Sequence, residues 1–172
     1  MAESSLILYE EEVKQIDAEL RRLHQQANAK VTFLVDKNGQ LISAVGEVDN
    51  LDTTSMASLT AGNIAATGGM AKLLGEKDFS ILFHEGEKDN IHMSLIGRVI
   101  LVVIFDQRSS LGLVRLRVKK SVEALLQILQ RVLQKVEPGK GSPSGGGSGP
   151  SKDSAKSPFS EITEDDIEKL FG

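Results

Sequence analysis

The segment KVTFLVDKNGQLISAVGE, from Lys30 to Glu47, holds the pattern on which the fold assignment depends. Its first half, VTFLVD, is rich in β-branched and aromatic residues, and its second half, LISAV, is apolar again. Asn38-Gly39 lies between the two halves, and Asn-Gly between two apolar runs is a strong signal for a type I′ turn. The segment therefore predicts a β-hairpin closed by such a turn.

The residues on either side of this hairpin predict three helices and three more strands. Downstream, a second helix has Asp52 or Thr53 as its N-cap and Gly75 as its terminator. FSILFHE, NIHMSLIGR and VILVVIFD then predict three further antiparallel strands. A stripe of Leu and Val residues predicts a last helix from about Ser110 to Val136. Upstream, five apolar residues at helical spacing predict a first helix ending near Ala27: Leu8, Val13, Ile16, Leu20 and Leu23.

The predicted order of elements is αββαβββα, an α+β fold with a five-stranded antiparallel sheet. VILVVIF is apolar on both alternating faces, so helices must cover both faces of the sheet. We expect the first and last helices on one face and the second helix alone on the other. This domain takes residues 1–137. A Gly/Ser/Pro linker (138–158) and a short amphipathic segment (159–172) follow, and we expect this tail to be disordered in isolation.

The composition excludes several classes of function. The formal charge of −4 gives no reason to expect nucleic acid, whose binding needs a basic surface. The absence of cysteine excludes disulfides and thiolate metal sites. The N-terminus lacks the basic region of a signal peptide, and the longest apolar run, Val99 to Phe105, is too short to span a bilayer. We therefore expect a cytoplasmic protein without membrane insertion.

Motifs for enzyme or metal chemistry do not match at the required spacing. TAGNIAATGGMAK has five residues between Gly62 and Gly68, and Gly69 stands where a phosphate loop needs lysine. DKNGQLISAVGE has Leu41 where a calcium loop needs glycine. The sequence predicts no catalytic residue, no metal and no cofactor.

Two histidines, His84 and His92, lie on adjacent predicted strands with three acidic residues nearby. A metal site there is conceivable. We favour ordinary surface residues instead, because two histidines beside an exposed hairpin are common.

The second helix carries two sets of residues with weak polarity. The bulky set is expected to pack on the sheet: Met56, Leu59, Ile64, Ala66, Met70, Leu73 and Leu74. The small residues Ala57, Ala61, Ala65, Gly68 and Gly69 run with Lys72 along a different face. Each glycine inside a helix costs about 1 kcal/mol relative to alanine, so helix propensity does not explain this face. It is either a close crossing within the fold or a flat docking surface for another protein.

Five segments of the chain together match a known family: YEEEVKQI, ANAKVTFLVDKNGQLISAVGE, NLDTTSMASLTAGNIAATGGMAKLLGE, FHEGEKDNIHMSLIGRVILVVIFDQRSSLGLVRLRVKK and SPFSEITEDDIEKLF. They closely resemble the MglB family, bacterial Roadblock-domain proteins that act as GTPase-activating partners of MglA-type Ras-like GTPases in cell polarity and motility. The resemblance covers nearly the whole chain. It implies a Roadblock-like fold and a cytoplasmic protein that can concentrate at a cell pole.

The resemblance also implies a homodimer joined through the second helix and the third strand. One GTPase in its GTP form is expected to dock on the paired second helices. Ala65 and Gly69 match positions where the family contacts the GTPase, and Ala61, Gly68 and Lys72 follow as neighbours. The alternative is a non-activating Roadblock scaffold subunit of a larger assembly.

The residues themselves argue against an arginine finger on this helix. No arginine occurs between Leu51 and Phe83, where the cations are Lys72 and Lys77. Because such a finger needs an arginine at the transferring phosphoryl group, docking is expected to act by selecting the hydrolysis-competent conformation of the GTPase.

Two further surfaces are candidates for contacts. The tail predicts a short helix capped by Thr163, and the resemblance implies that it makes a second contact with the GTPase and affects nucleotide exchange. A disordered end with a chance pattern is the alternative. The apolar face of this predicted tail helix consists of Phe159, Ile162, Ile167, Leu170 and Phe171. In VRLRVKK, the residues Arg115, Lys119 and Lys120, with Arg117, predict a solvated face, and the alternatives are an acidic partner or a membrane surface.

Overall fold

The computed structural model of the chain describes residues 7–136. The elements are α1 (Glu10–Gln26), β1 (Val31–Asp36), β2 (Leu41–Gly46), α2 (Thr53–Leu73), β3 (Ile81–Glu85), β4 (Asn90–Ile96), β5 (Val99–Phe105) and α3 (Leu111–Val136). This order confirms the predicted αββαβββα fold. The predicted linker (138–158) and tail helix (159–172), including Phe159, Ile162, Ile167, Leu170 and Phe171, lie outside the described residues.

The five strands form one antiparallel sheet in the order β2-β1-β5-β4-β3. The central strand β5 pairs with β1 through Phe33↔Val102 and with β4 through Met93↔Val102. Every residue of β5 is buried, as its apolar sequence predicts for a strand covered on both faces. The strands at the two edges, β2 and β3, each have one neighbour in the described sheet.

The two faces of the sheet have different covers. On one face, α1 and α3 pack over Leu34, Leu101 and Val103. On the other face, α2 packs over Phe33 and Ile100. The expectation that the first and last helices share a face is confirmed, and α2 lies alone on its side.

The turn between β1 and β2 differs from the prediction. A type I′ turn needs positive φ at both central residues, but Gly39 has φ 89° whereas Asn38 does not lie in the positive region. The Asp36 carboxylate accepts a hydrogen bond from the Asn38 N–H at 2.9 Å, and the Asp36 carbonyl accepts one from the Gly39 N–H at 2.8 Å. These bonds favour a type I turn followed by a left-handed glycine, so the type I′ prediction is wrong.

The ends of α2 follow from its sequence. Asp52 is the N-cap, because its side chain accepts a hydrogen bond from the Ser55 N–H at 3.1 Å. Hydrogen bonds from the Ser55 hydroxyl and backbone lower the pKa of Asp52. At the other end, Gly75 has φ 77° and donates to the carbonyl of Lys72, while Glu76 donates to that of Ala71. This is a Schellman motif, so Gly75 ends the helix as predicted.

Candidate functional site

The side of α2 that faces the sheet consists mainly of small side chains. Its buried residues are Ala57, Thr60, Ile64 and Ala71. The prediction that the bulky set packs on the sheet holds only for the buried Ile64 and the half-buried Met56, and it is wrong for the others. These are all exposed: Leu59 (70%), Met70 (60%), Leu73 (83%), Leu74 (70%) and Ala66. The reason is that the sheet supplies the volume of this core through residues such as Phe33 and Ile100. A helix with large side chains on that side would not fit at the same distance.

The exposed circumference of α2 divides into two flanks. At 3.6 residues per turn, Ala61, Ala65, Gly68, Gly69 and Lys72 follow one side, here called the small flank. Leu59, Ala66, Met70 and Leu73 follow the other side, here called the apolar flank.

Contacts with the strands fix the direction of each flank. A Cβ added to Gly39, in the β1–β2 turn, would lie 3.7 Å from the Cβ of Ala61. Asn63, seven positions before Met70 and hence on the same side, has its Nδ2 atom 3.4 Å from Nε2 of His84 on β3. The small flank therefore faces the β1–β2 turn, and the apolar flank faces the edge strand β3.

The small flank is open to solvent over most of its length. Ala65, Gly69 and Lys72 are exposed, and Ala61 and Gly68 are half-buried. A Cβ added to Gly62, Gly68 or Gly69 would meet no described atom within 4 Å apart from the neighbouring residues and the backbone of its own helical turns. A close crossing inside the fold therefore does not account for these glycines, and that interpretation is wrong for them.

The chemistry available on the small flank is limited to shape and one positive charge. The N–H and C=O groups in the middle of a helix already bond to each other, so the flank offers a backbone surface that another molecule can approach closely. Lys72 is its cation, and it forms no ion pair within residues 7–136. Within the same residues, no group of three or more metal-ligating side chains comes together.

Comparison with known families gives this helix a context. The Roadblock/LC7 domain matches residues 15–105, a range that contains the whole of α2 and the whole sheet. The chain belongs to the Roadblock/LC7 family.

Solved structures place the chain among MglB-type Roadblock proteins. MglB of Myxococcus xanthus has 60% sequence identity, covers 74% of this chain and 96% of its own, and superposes with a TM-score of 0.71. The gliding protein MglB of Thermus thermophilus has 31% identity, covers 76% of this chain and 99% of its own, and gives a TM-score of 0.70. An MglB described with a tetrameric arrangement has 30% identity, covers 76% of this chain and 99% of its own, and gives 0.71.

Exposed apolar side chains also occur at the edge strand β3. Phe79, just before the strand, is exposed, and Ile81 is 53% exposed, but Ile81 lies an odd number of positions from His84 and therefore points to the face of the sheet opposite α2. The exposed apolar surface on the α2 side consists of Leu59, Met70 and Leu73. Sequence reasoning missed this surface because it assigned the leucines of α2 to the sheet.

The histidines do not form a site together. His84 on β3 pairs with Ile91 on β4 and points to the α2 face. His92 follows Ile91 on β4 and therefore points to the α1–α3 face. His92 is 1% exposed, so the prediction of an ordinary surface residue is wrong for it. Neither ring nitrogen of His92 has a hydrogen-bond partner. Burial, with a smaller contribution from the Arg115 charge, disfavours the protonated ring and lowers the pKa of His92.

The face of α1 and α3 holds the remaining candidates. Arg115, Lys119 and Lys120 are exposed on α3, and Arg117 is half-buried with an Nε atom that has no partner. A groove of about 380 Å³ runs between the two helices and is lined by Gln15, Ala18, Glu19, Arg22, Ala124, Gln127, Ile128 and Arg131. A smaller groove, about 260 Å³, lies beside Leu8, Val13 and Leu41.

None of the helices described in residues 7–136 combines the length and apolar character needed to cross a bilayer.

Proposed function

We propose that this chain is a homodimeric GTPase activator that docks a small Ras-like GTPase of the MglA type, in its GTP form, on the small flank of α2. The observation that carries the proposal is the open space over Gly68 and Gly69 on this flank, since no packing contact in the described chain requires glycine there. A partner whose backbone must come close to the helix supplies the requirement that the fold does not. By its kinship with MglB, the protein would act in bacterial polarity and motility, in the cytoplasm and concentrated at a cell pole.

The apolar flank provides the contact for the homodimer. Leu59, Met70 and Leu73 are more than half exposed, and they lie on the side of the sheet edge formed by β3. Burying one such side chain against a second copy contributes about 1.5–3 kcal/mol. Two copies joined along α2 and β3 would place both small flanks on one side of a dimer, which doubles the width of the docking surface.

The proposed mechanism is positional. No arginine occurs on α2 or between Leu51 and Phe83, so this surface has no side chain that could act as an arginine finger. Docking raises the hydrolysis rate if the dimer binds the conformation in which the GTPase aligns its own residues with the attacking water. Lys72 gives the docking surface one exposed positive charge. In this proposal the chain is a regulator, and the GTPase supplies the residues that carry out hydrolysis.

The C-terminal segment supplies a second contact in this proposal. The side chains assigned to it are Phe159, Ile162, Ile167, Leu170 and Phe171. Flexible Gly/Ser-rich chains of about twenty residues generally span roughly 25 Å, and a tether of that kind would keep the segment at high local concentration around a GTPase already held by the dimer. This contact is proposed to promote nucleotide exchange.

The proposal is tested by measuring GTP hydrolysis by an MglA-type GTPase, in single-turnover and steady-state assays, with and without this protein. Ala65→Arg and Gly69→Arg each place a long side chain on the small flank and are expected to abolish stimulation while the dimer stays folded. Ala18→Arg makes a matched change at an exposed position of α1 and is expected to leave stimulation intact. Full stimulation by both α2 variants rejects the docking surface, and binding without stimulation identifies a scaffold subunit instead.

A further inference from the structure

The solvent side of α3 differs in charge from the rest of the molecule. This helix carries six lysines and arginines and one acidic residue, although the whole chain has a formal charge of −4. Arg115, Lys119 and Lys120, here called the basic cluster, have no carboxylate within ion-pair distance among residues 7–136. On α1, by contrast, every lysine and arginine is paired with an acidic residue one turn away. The basic cluster therefore keeps its charge available for a partner.

An exposed leucine lies at the centre of the basic cluster. Leu116 is 53% exposed, and helical geometry places Lys119 and Lys120 one turn away on the same side. The core contacts of this half of α3 come from Val114 and Val118 on its opposite side. The fold therefore does not need Leu116 for packing. Basic residues attract anionic lipid headgroups, and an outward apolar side chain beside them can contact the layer just below, so this combination suits a membrane surface.

The shape of this region favours a flat partner over a helical peptide. A peptide helix lays its apolar face into a groove. Neither of the two grooves described above is lined by Leu116 or by a residue of the basic cluster. The cluster instead lies on the convex outer side of α3, where a layer of lipid headgroups can contact all of its charges at once.

We propose that the first half of α3 binds the surface of an anionic membrane, with the basic cluster on lipid phosphates and Leu116 at the boundary of the acyl chains. The contact is peripheral and leaves α3 packed on the sheet. It does not depend on the GTPase role, because α2 lies on the opposite face of the sheet. A membrane-bound molecule would present the small flank of α2 away from the bilayer, so both surfaces can be occupied together.

Co-sedimentation of the full-length protein with vesicles tests the proposal. The vesicles are phosphatidylcholine alone or a mixture of phosphatidylcholine and phosphatidylglycerol, at low salt and at about 0.5 M salt, where exposed charges are screened. We expect binding to the mixed vesicles at low salt only. Combined Arg115→Ala, Lys119→Ala and Lys120→Ala should lower the partition coefficient at least about tenfold, because each basic residue near an anionic surface adds to binding. Leu116→Ala should lower it by a smaller factor.

A matched variant controls for net charge. Lys37, Lys77 and Lys88 are exposed and form no ion pair within residues 7–136, and their combined replacement by alanine removes the same charge elsewhere. It should change vesicle binding less than twofold. Absent binding to the anionic vesicles, equal binding to both lipid compositions, or equal losses in the two triple variants would overturn the proposal. Capture of a glutamate-rich peptide by the basic cluster without any vesicle binding would assign the surface to a protein partner and overturn it as well.

Discussion

Replacing Gly69 by alanine separates what the fold requires of α2 from what a partner requires. Apart from its own helical turns, the added Cβ would meet no described atom within 4 Å, so the substitution causes no clash with the rest of the fold. Gly69 lies in the interior of α2, where alanine is better than glycine by about 1 kcal/mol. For a domain of this size, that gain corresponds to a rise in Tm of about 3–5 °C. The folded protein should therefore become more stable.

The same methyl group is expected to weaken GTPase docking. An extra methyl in a closely packed contact typically costs about 1–3 kcal/mol, which corresponds to a loss of roughly 5- to 150-fold in affinity. Thermal unfolding followed by circular dichroism gives the first quantity. Titration with the GTPase loaded with a non-hydrolysable GTP analogue gives the second, and stimulated hydrolysis should fall in parallel.

Gly112→Ala is the control for this experiment. Gly112 lies in the first turn of α3, and a Cβ there would also meet nothing within 4 Å. This variant should match or slightly exceed the stability of the parent and keep full affinity for the GTPase. A lower Tm for Gly69→Ala would contradict the geometry of α2. A higher Tm with unchanged affinity and stimulation would show that Gly69 is not at the contact.

Three other changes test the dimer contact, the tail and the buried histidine. Combined Leu59→Glu and Leu73→Glu should give a folded monomer by light scattering, because both side chains are exposed in the single chain and charge opposes their burial in a dimer. A persisting dimer would exclude the apolar flank as the dimer contact. Deletion of residues 158–172 should weaken GTPase binding without lowering the Tm, and an unchanged titration would reject the second contact. Burial lowers the pKa of His92 below its usual 6.5, so the unfolded chain takes up this proton at a higher pH than the folded chain. The free energy of unfolding should therefore fall as the pH drops below about 6.5, by up to about 1.4 kcal/mol per pH unit. His92→Phe should remove that slope between about pH 7 and 5, and an unaltered slope would contradict the assignment to His92.

The fold was predictable because its signals are local and agree with one another. The β-branched and aromatic residues of β1, the uniformly apolar β5 and the stripe of α3 each specify one element. Asp52 and Gly75 act through hydrogen bonds and backbone angles within a few residues of themselves, so both ends of α2 could be predicted directly. The turn type failed for a related reason, because the side chain of Asp36 bonds to the turn and outweighs the preference of Asn38-Gly39.

The faces of α2 could not be assigned from the helix alone, because the sheet decides them. Large side chains on a helix normally mark its buried side, but here the sheet already contributes Phe33, Ile100 and Met93 to that core. The room left above them admits Ala57 and Ala71, which brings the helix close to the strands. His92 was misjudged in a similar way, because α3, which is distant in sequence, covers it.

The distribution of large and small side chains around α2 fits a helix with three neighbours: the sheet, a second copy of the chain and a partner protein. The sheet takes the side with Ala57 and Ala71, where bulk is excluded. Leu59 and Leu73 do not pack in that core, and their exposure fits the contact with a second copy that is proposed above. The glycines serve neither purpose, because the space over them is empty and a leucine-lined contact gains nothing from them. A third neighbour that approaches the backbone is the requirement left unfilled, and the open side toward the β1–β2 turn is where it fits.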